Sequence, residues 1–185
     1  VTKSYEFRGR EAPILEQLGV RVIVMRAGTF VDLQKSMELT LREEVEALLY
    51  EAGIKAGRSS TKVLLREWGK KDFMRRWAEF YSSDGCGWFK LEKAEVEPEK
   101  GGVVRISGSF IAEEYGRSEK PVCHFLCGFL VGVFQELLGV ELTCEETKCA
   151  AMGEQYCEFK LERCDTDLAN HNQIKRQTSA KSSRY

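Results

Sequence analysis

The sequence has no excess of charge of either sign, no apolar run long enough to cross a bilayer, and too few cysteines for a stapled secreted scaffold. Lys and Arg total 28 against 29 Asp and Glu, a formal charge of −1. That balance leaves no electrostatic footprint for non-specific DNA or RNA binding. The longest apolar run, Val122 to Phe134, is interrupted by His124 and stops after 13 residues, where a membrane span needs about 20. It reads as a buried core helix. Seven cysteines in 185 residues fall well short of the roughly 8–10% that marks a disulfide framework. Internal repeats, CxxC pairs, helix-turn-helix motifs and ATPase motifs are all lacking. With no signal peptide, an odd cysteine count and enough apolar residues to fold without staples, the expectation is reduced thiols and a cytoplasmic protein.

What is present is a chain with 43% apolar and 10% aromatic residues, enough for one domain with a sizeable core. Residues 1–19 read as a loose arm and residues 20–164 as the domain. Residues 165–185 read as a disordered tail with four basic and two acidic side chains, which leaves residues 1–164 at −3. Within the domain, Val20 and the run Val22 to Met25 suggest a strand over 20–26. Helical spacing follows at Phe30, Leu33 and Met37, and again at Val45, Leu48, Leu49 and Ala52. Thr40 with Glu43 reads as a capping box for a second helix ending near Gly53 or Gly57. Phe73, Trp77, Phe80 and Tyr81 mark a third helix, broken at Ser82 to Gly87. A hairpin is expected over 88–97 and 103–111, then the buried helix Cys123 to Leu138 capped by Gly139. Gly128 and Gly132 on that helix admit a close approach, expected to be packing onto the sheet. Strands near 140–145 and 157–161 form a second hairpin.

Six of the seven cysteines lie between Cys123 and Cys164. Cys149 and Cys157 are equidistant from Gly153, so a symmetric turn would set them opposite each other, close enough for both sulfurs to reach one metal ion. Cys123 sits at the start of the buried helix, where orphan N–H groups and the helix dipole favour a thiolate. Three converging thiolates suit zinc. For the fourth ligand, Glu113 or Glu114 ranks ahead of His124. The alternative is that these cysteines are small buried hydrophobes. Cys123 beside His124 also raises a nucleophile pair, but adjacent residues rarely set a base onto a nucleophile and no third orienting group is evident.

Pro121-Val122-Cys123-His124-Phe125, the run Gly128 to Gly132, Glu146-Thr147-Lys148-Cys149, Gly153-Glu154 and Tyr156-Cys157-Glu158-Phe159 together resemble the C-terminal signature of the 4-vinyl reductase (4VR) domain family. Leu48 to Gly53 with Gly57, and Gly85 to Phe89, resemble its upstream helix and strand start. The likeness covers roughly residues 20–162. It implies an α/β (α+β) domain of the TRAPP-like kind, a small antiparallel sheet packed against helices with a tendency to dimerise. It also implies a binder of hydrocarbons or other small molecules, as in the sensor modules of phenol-responsive activators or beside tetrapyrrole biosynthesis enzymes. In those sensors zinc is held by three cysteines and a glutamate. The cysteines carry over to Cys123, Cys149 and Cys157. The glutamate's expected place is taken by Ile111, leaving Glu113, water or another side chain to complete the site.

The resulting expectation is a ligand-binding module, with a small apolar molecule enclosed between sheet and buried helix. Trp88, Phe110, His124, Phe125 and Phe134 are the candidate lining residues. Its rivals are a TRAPP-like interaction dimer with a solid core, and an enzyme or accessory subunit in tetrapyrrole vinyl reduction.

Overall fold

In the computed structural model, residues 14–15, 20–21, 23–42, 44–82 and 86–164 are described. The tail 165–185 and most of the arm 1–19 lie outside them. Two short strands, β1 (Ile14–Leu15) and β2 (Val20–Arg21), pair antiparallel. Three helices follow: α1 (Ala27–Leu41), α2 (Glu44–Trp68) and α3 (Phe73–Tyr81). Then come β3 (Lys90–Glu97), β4 (Gly101–Ser107), α4 (Phe110–Tyr115), α5 (His124–Leu138), β5 (Leu142–Lys148) and β6 (Cys157–Arg163). The last four strands form one antiparallel sheet in the order β3-β4-β6-β5. This is the helix-and-small-sheet architecture that the sequence implied.

Strand alternation builds the inner face of the sheet. Val104 stands across from Phe159, and Ile106 from Cys157, and all four are buried. On β5, Cys144 pairs with Leu161 and Glu146 with Phe159, so the same period of two turns Leu142, Cys144 and Glu146 inward. Against this core lies α5, in which every residue from Leu126 to Gln135 is buried. Its C-cap is Gly139 at φ 71°, the left-handed conformation that glycine adopts without a Cβ penalty.

Gly128 and Gly132 serve a different contact from the one expected. A Cβ on Gly128 would collide with the backbone of Tyr50, and one on Gly132 with the backbone around Ile54, Gly57 and Arg58. Reciprocally, Gly53 and Gly57 face the α5 backbone at Phe125, Phe129 and Val133. Four glycines thus let α2 and α5 touch main chain to main chain, and the partner is a helix rather than the sheet.

Three further expectations are corrected. The strand over 20–26 shrinks to Val20–Arg21, and Ile23, Val24 and Met25 are exposed. The second helix does not start at Thr40 or end near Gly53 or Gly57; it stops at Gly69, which takes φ 70°. The Thr40 hydroxyl donates back to the Ser36 carbonyl inside α1, while α2 runs through Gly53 and Gly57 to Trp68, because packing against α5 outweighs about 1 kcal/mol of glycine propensity each. Finally, the second arm of the first hairpin ends at Ser107. Gly108 takes φ 62°, and the Ser109 hydroxyl caps α4 by accepting from Ala112 N–H, so Phe110 lies on a helix.

Candidate metal centre and aromatic cluster

Four buried side chains from three parts of the chain converge. Cys123, Glu146, Cys149 and Cys157 each offer a ligand atom, and these atoms all lie within 4.8 Å of one another. Cys123 is the N-cap of α5. Its segment is clamped on both sides: the buried Gln34 of α1 donates to the Val122 carbonyl at 3.0 Å, and Cys123 N–H donates to Glu146 Oε2 at 2.9 Å. Glu146 points inward from β5 by the alternation already described. A register shift follows between Glu146 and Lys148, and Cys149 then caps a single 3-10 turn, Ala150–Met152, closed by Gly153 at φ 98°. Cys157 opens β6, and its sulfur accepts from Ala150 N–H at 3.3 Å.

Cys149 and Cys157 therefore meet, but not as facing rungs of a symmetric hairpin. The bulge and the 3-10 turn remove Cys149 from the ladder and fold it back over the end of β6. The carboxylate of the cluster is Glu146. Glu113, the sequence candidate, is exposed on α4, as is Glu114. The signal for Glu146 was present, since extending the alternation of Leu142 and Cys144 by two residues reaches it.

The donor set fits a tetrahedral thiophilic ion. Two sulfurs bound to zinc at about 2.3 Å stand roughly 3.8 Å apart, and the Cys123 and Cys157 sulfurs are 3.9 Å apart. Glu146 Oε1 is buried without a hydrogen-bond partner among the described residues, a costly state for a carboxylate that has no ligand to bind. Electrostatics agree. Hydrogen bonds from Cys123 and then Cys157 hold the Cys149 thiol far below its ordinary range, making it the thiolate of the group. Donation to Cys149 and Cys157, with burial, pushes Cys123 up. Cys157 is drawn down by Cys123, but donation to Cys149 and burial outweigh this and leave it raised. Burial, and next the negative charge of Cys149, push Glu146 up to about 8. Without a cation the site can hold one negative charge comfortably; with a divalent cation it can hold four.

The candidate ligand residues divide. Trp88, Phe110 and Phe125 come together, with ring centroids 5.7 Å apart for Trp88–Phe110 and 6.1 Å for Trp88–Phe125. Phe30 of α1 joins them at 5.3 Å from both Phe110 and Phe125, and Phe129 closes on Trp88 at 5.1 Å. Phe30 and Phe129 were not singled out from the sequence, because their helical spacing reads as ordinary core. His124 faces elsewhere, with Nε2 3.9 Å from Glu46 Oε1 and its imidazole pKa lowered by burial. Phe134 lines a separate groove of about 560 Å³ with Phe73, Met74, Leu91, Val96 and Leu138.

Residues 103–163, which run from β4 through β6 and contain all four cluster residues, match the vinyl 4-reductase domain family. The match falls on the family that the cysteine and glycine motifs resemble, over the third of the chain that holds those cysteines. Among relatives, the uncharacterized protein MJ1642 of Methanocaldococcus jannaschii is 27% identical over 153 residues, covering 82% of this chain and 84% of that protein. The fold is similar to the phenol-responsive sensory domain of the transcription activator PoxR, with TM-score 0.62, 16% identity and 83% of each chain covered. It is also similar to trafficking protein particle complex subunit 3 of Naegleria fowleri, with TM-score 0.51, 13% identity, and 75% of this chain and 95% of that one covered. The TRAPP-like architecture is thus shared across these proteins. No helix among the described residues is long and apolar enough to cross a membrane.

Proposed function

We propose that this chain is a small-molecule sensing domain whose ligand site is organised by zinc bound to Cys123, Glu146, Cys149 and Cys157. The observation that carries the reading is the first turn of α5, where Cys123 belongs to the metal cluster and Phe125, two residues on, belongs to the aromatic cluster. Ordering one orders the other. Zinc supplies a fixed crosslink between α5, β5 and β6. The protein residues do the rest: Phe30, Trp88, Phe110 and Phe125 offer an apolar, π-rich surface to a small hydrocarbon or aromatic molecule. PoxR, which shares the fold, is phenol-responsive, and that supports the same class of ligand here. Exposed Ile23, Val24, Leu33 and Leu39 support pairing with a second copy, which also favours the rival reading of an interaction dimer.

Native mass spectrometry of freshly purified protein, with metal analysis, tests the reading. The expected result is one zinc per chain, and quenching of tryptophan emission on titration with phenol or toluene that Trp88→Phe reduces. Absence of both zinc and small-molecule binding would overturn it. Zinc with no small-molecule binding, in a protein that runs as a dimer, would establish the interaction module instead.

A further inference from the structure

A second pair of thiols lies apart from the metal cluster. Cys127 is one helical turn beyond Cys123 on α5, and Cys144 is on the inner face of β5. Their sulfurs are 3.0 Å apart, about one ångström more than a covalent S–S bond of ~2.05 Å, and neither belongs to the four-residue cluster. The two elements that carry them are held in place by Tyr50. Its backbone packs against Gly128, next to Cys127, and its hydroxyl accepts the Cys144 N–H at 3.0 Å. Little main-chain movement is needed to bring the sulfurs into bonding range. Cys127 is buried and Cys144 is half-buried, so Cys144 is the more accessible of the two, although burial pushes its thiol well above the ordinary range.

We propose that Cys127 and Cys144 form a redox-reactive dithiol that closes to an intramolecular disulfide by exchange with a low-molecular-weight disulfide of the glutathione type. Cys144 gives up its proton, and its thiolate attacks one sulfur of the small disulfide, which breaks and releases one small thiolate. Cys127, deprotonated in turn, attacks the Cys144 sulfur of the mixed disulfide and expels the second. The protein loses two electrons and two protons, and the small disulfide gains both as two thiols. The product ties α5 to β5, the elements that also carry Cys123 and Glu146, so it fixes the relative position of two cluster residues without using any of them. This inference stands whether or not the zinc reading holds.

The test treats the full-length protein as purified with oxidised glutathione under native conditions, blocks remaining thiols by alkylation, and maps peptides by fragmentation mass spectrometry. The expected product is a Cys127–Cys144 cross-linked peptide lighter by two hydrogens and reversed by dithiothreitol. It should be lost in Cys144→Ser and retained in Cys86→Ser. If Cys144→Ser does not fold, Cys127→Ala serves in its place. Recovery of Cys127 and Cys144 as alkylated thiols while Cys86 or Cys164 carries glutathione would overturn the proposal. So would a cross-link that appears only after denaturation, or one that joins Cys123 to Cys157.

Discussion

Replacing Gly128 by alanine sets two principles against each other with opposite signs. Helix propensity alone makes Gly→Ala inside α5 stabilising by about 1 kcal/mol. The packing says otherwise. The added methyl would stand 2.7 Å from the Tyr50 carbonyl carbon and 3.0 Å from its Cα, with the carbonyl oxygen closer still. All of these are main-chain atoms of a 25-residue helix, so no flexible side chain can yield. Ordinary contact requires α2 and α5 to move apart by something on the order of 1 Å, and such a gap forfeits a quarter to a half of each dispersion well along the seam. Overpacking of this kind typically costs about 1–3 kcal/mol; a backbone collision belongs at the upper end, so after the propensity gain the net loss should be about 2 kcal/mol or more. In urea unfolding, with a slope of ~2 kcal/mol/M, the midpoint should fall by about 1 M with the slope unchanged. Gly28→Ala is the control, since its methyl meets only the end of the Glu114 side chain at 3.2 Å, and it should be neutral or mildly stabilising. A Gly128→Ala protein as stable as the parent, or more so, would refute the account of how α2 and α5 pack.

Three other outcomes are expected. Glu146→Gln should lower bound zinc at least about tenfold in equilibrium dialysis, whereas Glu113→Gln, altering an exposed carboxylate, should leave it unchanged. Zinc uptake at pH 7 should release about three protons, because the free site keeps Cys123, Cys157 and most of Glu146 protonated and only Cys149 ionised; the free state binds more protons than the loaded one, so affinity rises with pH. Calorimetry in buffers of different ionisation enthalpy reads that number, and release of fewer than one proton would contradict the assigned protonation pattern. Stripping the metal with a strong chelator should lower the melting temperature and raise proteolysis around residues 146–157, where the ligands hold an otherwise irregular turn.

Much of the candidate site was legible locally. Cys123 announced itself as the start of an all-apolar helix, and Gly139 and Gly153 marked turns by the left-handed conformations that they take up. The stripe Phe73, Trp77 and Tyr81 proved to be the buried face of α3. Glu146 was missed in favour of Glu113 because a glutamate among neighbouring glutamates looks solvated unless the strand period is carried one step further. The symmetric turn was wrong because a bulge leaves no reliable local mark. Phe30 was missed because its partners Phe110 and Phe125 are 80 and more residues away.

Periodicity and composition were sufficient for the buried helix, which depends on interactions within a few residues, while the class of domain and three of the four residues of the candidate cluster followed from the resemblance of the cysteine and glycine motifs to a known family. The choice of Glu146, the interlocking of Gly53 and Gly57 with Gly128 and Gly132, and the meeting of Cys127 with Cys144 belong to the assembled fold. In each of these, two segments distant in the chain share one small volume, and it is the mutual exclusion of atoms there, rather than any local preference, that selects which side chains meet.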